Sequence, residues 1–289
     1  IYYTPVSGIW QTVWLESVSS ESYLKEVKTI TNIDQNKVTI VPFSNISLVN
    51  GYQVVADVFY EGKKIVSGIT APNEALYLDL PKAKLWSPDH PHLYHVTLKF
   101  INLTGKVIDQ VYSYFGMRKI SIGDHKGVKY LFLNNKPLFH YGTLDQGWWP
   151  DGLLTPPSDE AMRYDIQMTK AMGFNMIRKH VKIEPDRWYY HCDKLGIMVW
   201  QDFMFACAMY PGDSSFLENV RLEAIDNYNR LKKHTCIVLW CGNNENLAAW
   251  KRWGWENKAI KNQSLEIADK IWNHYDTLFH HILPKVVYE

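Results

Sequence analysis

What this sequence lacks narrows it first. Its 289 residues hold four cysteines, Cys192, Cys207, Cys236 and Cys241, and no Cys-x-x-Cys pair. That excludes a disulfide scaffold and the usual structural zinc spacings, and it predicts free, mostly buried thiols. Neither sign of charge is in excess: 31 Lys and Arg against 30 Asp and Glu leave a net charge of +1. The strongly basic surface of a nucleic-acid binder is therefore not expected. No run approaches the ~18 consecutive apolar residues of a membrane span. Ile1-Tyr2-Tyr3-Thr4-Pro5 has neither the charged nor the apolar region of a signal peptide, so no localisation is read from it. His-Glu-x-x-His, Gly-rich phosphate loops and Gly-x-Ser-x-Gly are missing too, so neither a metal nor a cofactor is expected.

What is present is an aromatic excess and a change of texture. There are 12 Trp, 18 Tyr and 11 Phe. From Trp10 to about Ile122 short β-branched runs alternate with turns, as in Lys37–Phe43, Tyr52–Tyr60 and His95–Ile101. Asn50-Gly51, Glu61-Gly62 and Thr104-Gly105 suit hairpin turns. This rhythm predicts an immunoglobulin-like β-sandwich.

Beyond Gly127 strands and helices alternate. Strands are expected at Lys136–Tyr141, Phe174–Lys179, Ile197–Gln201 and Cys236–Trp240. Helices are expected at Ser158–Met172, Asp186–Leu195, Ser214–Lys233 and Leu265–Val287. Ser158 is placed to cap the first helix, and Gly173 and Gly196 to end the first two. A βαβαβαβα order calls for a parallel sheet with helices outside. Four such units are half of what an eight-unit barrel of ~250 residues requires. The fold class expected is thus multidomain β and α/β: a sandwich followed by the first half of a TIM (β/α)8 barrel.

In such sheets function gathers where parallel strands end. Those ends carry Gly142–Trp149, Arg178-Lys179-His180, Gln201-Asp202 and Gly242-Asn243-Asn244-Glu245-Asn246. Amides and carboxylates bond hydroxyl groups, and indoles stack on sugar faces, so this rim fits a neutral polyhydroxylated ligand. Glu245 follows an apolar strand, and its neighbours are amides rather than Lys or Arg. A carboxyl so placed can keep a raised pKa and act as a general acid. Arg178 reads equally as site scaffolding or as a structural arginine. Trp250, Trp253 and Trp255 are either a sugar platform or loop packing.

These residues resemble glycoside hydrolase family 2, which includes β-galactosidases, β-glucuronidases and β-mannosidases. Ser7-Gly8-Ile9-Trp10-Gln11-Thr12-Val13-Trp14 is similar to the last strand of that family's jelly roll. Leu85-Trp86-Ser87-Pro88-Asp89-His90-Pro91-His92-Leu93-Tyr94 and Phe115-Gly116-Met117-Arg118-Lys119-Ile120 resemble its immunoglobulin-like domain. Phe132-Leu133-Asn134-Asn135-Lys136-Pro137 resembles the barrel entry. The resemblance implies units at 1–14, 15–122 and 123–289. Within the last, 127–201 looks galactosidase-like and 202–245 mannosidase-like, a mosaic with its seam near Asp202.

By the same resemblance Asn244-Glu245 matches the family's acid/base motif. Glu245 would protonate the leaving oxygen of a terminal β-linked galactosyl, mannosyl or related sugar, and Asn244 would bond its 2-hydroxyl. Arg178, Asp202, His180, Trp148 and Trp240 are the further expected substrate contacts. The family's Arg-x-x-His is here Arg178 and His180, only two apart. A retaining mechanism needs a second carboxylate, which the family takes from a seventh barrel strand. These 289 residues are therefore expected to be inactive alone. The partner is a glycoside or oligosaccharide, and the parent would be periplasmic or secreted. The alternative is a non-catalytic carbohydrate-binding or interaction module derived from such an enzyme.

Overall fold

The computed structural model describes residues 4–47 and 50–288. Seven antiparallel strands come first: β1 (Leu24–Asn32), β2 (Lys37–Ser44), β3 (Gln53–Tyr60), β4 (Lys63–Thr70), β5 (Leu76–Asp79), β6 (Tyr94–Ile101) and β7 (Val107–Phe115). They form two sheets, ordered β1-β2-β5 and β4-β3-β6-β7. Alternate residues of both turn inward, as a half-buried strand demands. Val38 and Ile40 of one sheet share a core with Val54, Val58, Val96 and Leu98 of the other. Glu61-Gly62, both at positive φ, closes the β3–β4 hairpin. Asn50-Gly51 instead lies between β2 and β3, which belong to different sheets, so it joins the sheets and closes no hairpin.

The first strand expected of the parallel sheet falls elsewhere. β8 (Ile120–His125), β9 (Val128–Leu133) and β10 (Lys136–Pro137) form an antiparallel meander. Its tight turns, Lys126-Gly127 and Asn134-Asn135, place both central residues at positive φ, and Asn and Gly tolerate that conformation best. The chain therefore reverses where Lys136–Tyr141 was expected to run on. The parallel sheet starts later, with β11 (Gly142–Asp145), and continues through β12 (Met176–Lys179), β13 (Met198–Asp202) and β14 (Ile237–Cys241) in that order.

The helices α1 (Asp159–Ala171), α2 (Asp186–Leu195) and α3 (Ser214–Leu231) connect these strands. The Ser158 side chain accepts from the Ala161 N–H, and Gly196 ends α2 at φ 75°, both as local chemistry predicts. Two short helices, α4 (Asn246–Arg252) and α5 (Trp255–Asn262), precede α6 (Leu265–Asp276). A π-helical turn, Thr277–Ile282, joins α6 to α7 (Leu283–Tyr288), so the last expected helix is real but interrupted.

Ser7–Trp14 forms no strand among the described residues, because no neighbouring strand takes up its backbone bonds. It lies instead on the loops after β11 and β12. The Trp10 carbonyl accepts from Thr155 Oγ1 at 3.0 Å, its ring lies 5.1 Å from Lys182 Nζ, and Gln11 Nε2 donates to the Ile183 carbonyl. Of the four thiols, Cys192 and Cys236 are buried, Cys241 is half-buried and Cys207 is exposed; all are free.

The sandwich and the parallel sheet meet on a hydrogen-bonded seam. The fully buried Asp193 carboxylate accepts from Tyr114 Oη at 2.8 Å and the Cys236 N–H at 2.6 Å, and faces His234 Nδ1 at 2.8 Å. Burial and this carboxylate push the Tyr114 phenol well up. Trp86, also fully buried, donates Nε1 to the Asp193 carbonyl. Arg118 donates to the carbonyls of Thr235 and Ile237.

Two substitutions should separate this seam from an exposed contact. Asp193→Ala strands the partners of a buried carboxylate and is expected to cost about 3–5 kcal/mol in urea unfolding. Asp159 joins α1 to α2 through Arg187 and His191, whose bonds hold its pKa down at about 2. A depressed pKa adds stability that is present above ~3.9 and lost as pH falls through about 2. Its side chain is 37% exposed, so solvent screens the pair. Asp159→Asn should therefore cost less than ~1 kcal/mol at neutral pH, and nothing near pH 2.

Candidate functional site

The carboxyl ends of the four parallel strands bring the candidate residues into two groups, one on each face. β12, β13 and β14 pair so that Arg178 lies beside Trp200, and Asp202 beside Cys241. Because side chains alternate, Arg178, Trp200 and Asp202 share one face of the sheet. Asp202 has no exposure, and a bare charge there would be costly. Arg178 meets it with two bonds, Nε to Oδ1 at 3.1 Å and Nη2 to Oδ2 at 2.8 Å. Burial disfavours the guanidinium charge, but the Asp202 bond and its field outweigh that and raise the Arg178 pKa. The guanidinium also lies 5.0 Å from the Trp200 ring centre.

From this pair a chain of contacts reaches Glu245. Arg178 Nη2 donates to Asn244 Oδ1 at 3.0 Å, and Asn244 Nδ2 donates to Glu245 Oε2 at 2.9 Å. The expectation that Glu245 stands apart from any cation is thus corrected: Arg178 acts on it through one amide. Past β13 and β14 the backbone keeps pairing, with Asn244 N–H on the Phe205 carbonyl and Cys207 N–H on the Asn244 carbonyl. This extension carries the Cys207 thiol to 3.3 Å from Glu245 Oε2. Burial, then the Glu245 carboxylate, raises the Cys207 pKa. Cys207 and Trp200 were both missed from sequence. Trp200 had a usable signal, since it stands two residues from Asp202 and so on the same face. Cys207 had none, because only the strand extension places it.

Glu245 is exposed and has φ 63°, in the left-handed region that disfavours any side chain. Leu153, Val181 and Cys207 share that conformation, so each loop leaving a parallel strand carries one such non-glycine residue. Strain of about 1–3 kcal/mol per residue persists where surrounding contacts over-determine it. Beside Glu245 lies a depression of about 470 Å³, lined by Asn243, Leu247, Ala248, Lys251 and Arg252.

The other face holds a separate buried network. Lys179 bonds Asp145 at 2.5 Å and Glu184 at 2.9 Å, with its ammonium 4.2 Å from the Trp188 ring centre. Burial opposes the Lys179 charge, and the two carboxylates more than restore it. Lys182 bonds Glu184 and the carbonyls of Gly147 and Leu154. Gly147 is obligatory here: its φ is +60°, and a Cβ would lie 2.4 Å from Glu184 Oε1.

Two expected contacts, Trp240 and Trp148, sit away from Glu245. Trp240 pairs with Gln201, so its side chain is on the helical face against Phe203 and Tyr228, at ring distances of 5.3 and 5.4 Å. It is half-buried and packs against the core on that face. Trp148 lines a different depression, of about 540 Å³, with Asp145, Asp165 and Met168. His180 is 6% exposed, and its Nδ1 is buried without a partner. Of the tryptophan run, Trp250 is buried and stacked on Trp272, whereas Trp253 is half exposed. Among the described residues no three His, Cys, Asp or Glu side chains converge as a metal site, and no helix is long and apolar enough to cross a membrane.

Comparison with known proteins adds an independent line. The profile of glycosyl hydrolases family 2 matches residues 12–118. β-Mannosidase B of Aspergillus niger is 31% identical over 97% of this chain and 35% of its own length, running through Asp202. β-Mannosidase of Capra hircus is 41% identical over 42% of this chain and 14% of its own. The β-D-mannosidase structure from Dictyoglomus thermophilum covers 89% of this chain and 34% of that one, with TM-score 0.69 and 29% identity. A Bacteroides uniformis β-glucuronidase shares the fold, with TM-score 0.75 at 19% identity over 93% of this chain and 34% of that one. The chain spans about a third of the length of these full-length relatives.

The geometry makes two stability predictions. Arg178→Ala leaves Asp202 buried and unpaired, and should cost about 3–5 kcal/mol in denaturant unfolding. Neither Glu245→Gly nor Glu245→Ala keeps the carboxylate, but only glycine accepts φ 63° freely. The Gly variant is expected to be about 1 kcal/mol more stable than the Ala variant, and equal stabilities would argue against strain at this position.

Proposed function

The chain belongs to glycosyl hydrolase family 2, and we propose that it supplies the acid/base half of a retaining exo-β-glycosidase acting on terminal β-mannosides. The observation that carries this reading is the relay Asp202–Arg178–Asn244–Glu245 at the strand ends. We read the seven-strand unit as immunoglobulin-like, and the four parallel strands as half of a (β/α)8 barrel. We take these two units at 15–122 and 123–289, with Trp10 and Gln11 lying on the loops after β11 and β12. Mannoside is preferred to galactoside because the curated relatives compared above are β-mannosidases.

In this mechanism Glu245 gives its proton to the departing glycosidic oxygen, then takes one from the incoming water. Its exposure lets a substrate oxygen reach it. Asn244 fixes Oε2 with one N–H. Its nitrogen also donates a long bond, 3.8 Å, to the Cys207 sulfur, and a sugar 2-hydroxyl would replace that weak acceptor. Arg178 and Asp202 act as positioning residues, because Asp202 is fully buried on Arg178 and Arg178 Nη2 holds Asn244. His180, with an unpartnered Nδ1, and Trp148 remain candidate substrate contacts. Trp253 is a better candidate stacking surface than Trp240.

The nucleophile is a separate matter. Among the described residues, the carboxylates at the strand ends other than Glu245 are committed: Asp145 and Glu184 to Lys179, and Asp202 to Arg178. None is free to attack an anomeric carbon, and these 289 residues alone are expected to hydrolyse nothing.

The test is hydrolysis of an aryl β-mannoside by this sequence continued to the length of its relatives. Glu245→Gln should lower kcat by about 10²–10⁴-fold. Unchanged turnover would overturn the assignment. Saccharide binding by the 289 residues that survives both Glu245→Gln and Asn244→Ala would favour a binding module instead.

A further inference from the structure

A cleft lies at the opposite end of the parallel strands from Glu245. It opens between β1 of the sandwich and the C-terminal end of α3, and its volume is about 860 Å³. That is within the range of pockets that hold small ligands, which favour the junctions between structural units. Several cations face it, and most are already spoken for. Arg118 caps the carbonyls of Thr235 and Ile237, and Arg230 and Lys233 both pair with Asp186.

Three ammonium groups are left over, of which Lys25 is exposed on β1. Lys28, half-buried on β1, makes no ion pair or hydrogen bond among the described residues. Lys232, at the end of α3, bonds only the Asn229 side-chain oxygen and lies 5.3 Å from the Tyr228 ring centre. Burial, and then the field of Lys28, holds the Lys232 ammonium below its ordinary pKa, with Glu26 working the other way. Two like charges facing each other across a cleft repel unless something negative lies between them. On the same wall Trp14 is 66% exposed, with its indole N–H held by Glu16 at 2.7 Å. A fixed, open indole is a stacking surface for a sugar ring.

We propose that this cleft is a second, non-catalytic site for an acidic saccharide. The sulfate, phosphate or carboxylate substituent sits between Lys28 and Lys232, and a ring stacks on Trp14. The site is independent of Glu245: the five residues of β14 separate His234 and Thr235, on the cleft wall, from the loop that carries Glu245.

Calorimetric titration of the 289-residue chain tests this, with ionic strength balanced by chloride. The probes are a sulfated disaccharide, its desulfated counterpart and inorganic sulfate. The sulfated disaccharide should bind best. Lys28→Gln and Lys232→Gln should each weaken it about tenfold, the loss of one charge-assisted bond. Trp14→Ala should weaken the disaccharide but not inorganic sulfate, and Glu245→Gln should change neither. All three replaced side chains reach solvent, and thermal unfolding of each variant checks that the fold is kept. Binding indifferent to both lysines would overturn the proposal. So would inorganic sulfate binding as tightly as the disaccharide with Trp14→Ala silent, which leaves a bare anion site. Loss of binding in Glu245→Gln would place the ligand at the strand-end site instead.

Discussion

The site depends on one buried charge. Asp202 ends a strand with no exposure to water, and a carboxylate so placed must find a cation or lose its ionisation. Arg178, from the neighbouring strand, is the cation, and the bidentate geometry of the pair fixes the guanidinium plane. Once fixed, the same Nη2 gives its second N–H to Asn244. Asn244 is thereby oriented with its amide nitrogen toward Glu245. Removing the first charge would loosen every later member. An exposed carboxylate acquires a defined position this way, without being buried itself.

The rest of the molecule supports that arrangement from below. Trp86 and the Asp193 carboxylate lock the sandwich to α2 and to the segment between α3 and β14. Arg118 satisfies carbonyls at the start of β14 that have no strand partner there. The sandwich is thus a bracket for the strand that carries the candidate acid at its far end. Four of the left-handed non-glycine residues sit at the other end, one in each loop after a parallel strand. Backbone strain of this kind is common at functional sites.

Much of this was legible in the sequence because its causes are local. The Ser158 cap, the Gly196 stop and the alternation of strand and helix each depend on a few neighbouring residues, and each appears where expected. The Asn244-Glu245 pair and its place after an apolar strand were readable for the same reason. The meander was misread, since Lys136–Tyr141 has strand chemistry and only the Asn134-Asn135 turn assigns it a partner. The interruption of the last helix by a π turn had no local warning.

What the sequence by itself determined is the order of elements, the residue types at the strand ends and the family to which they belong. What only the tertiary structure decided is which of those residues meet. Side chains on a strand alternate faces, so a shift of one residue exchanges the two sides of a sheet. The irregular register between β13 and β14 puts Trp240 beside Gln201, among the helices, and leaves Trp200 with Arg178. The same pairing, carried one step beyond the strands, brings Cys207 to Glu245. Register is set by contacts between distant segments, and it is the quantity that no local pattern contains.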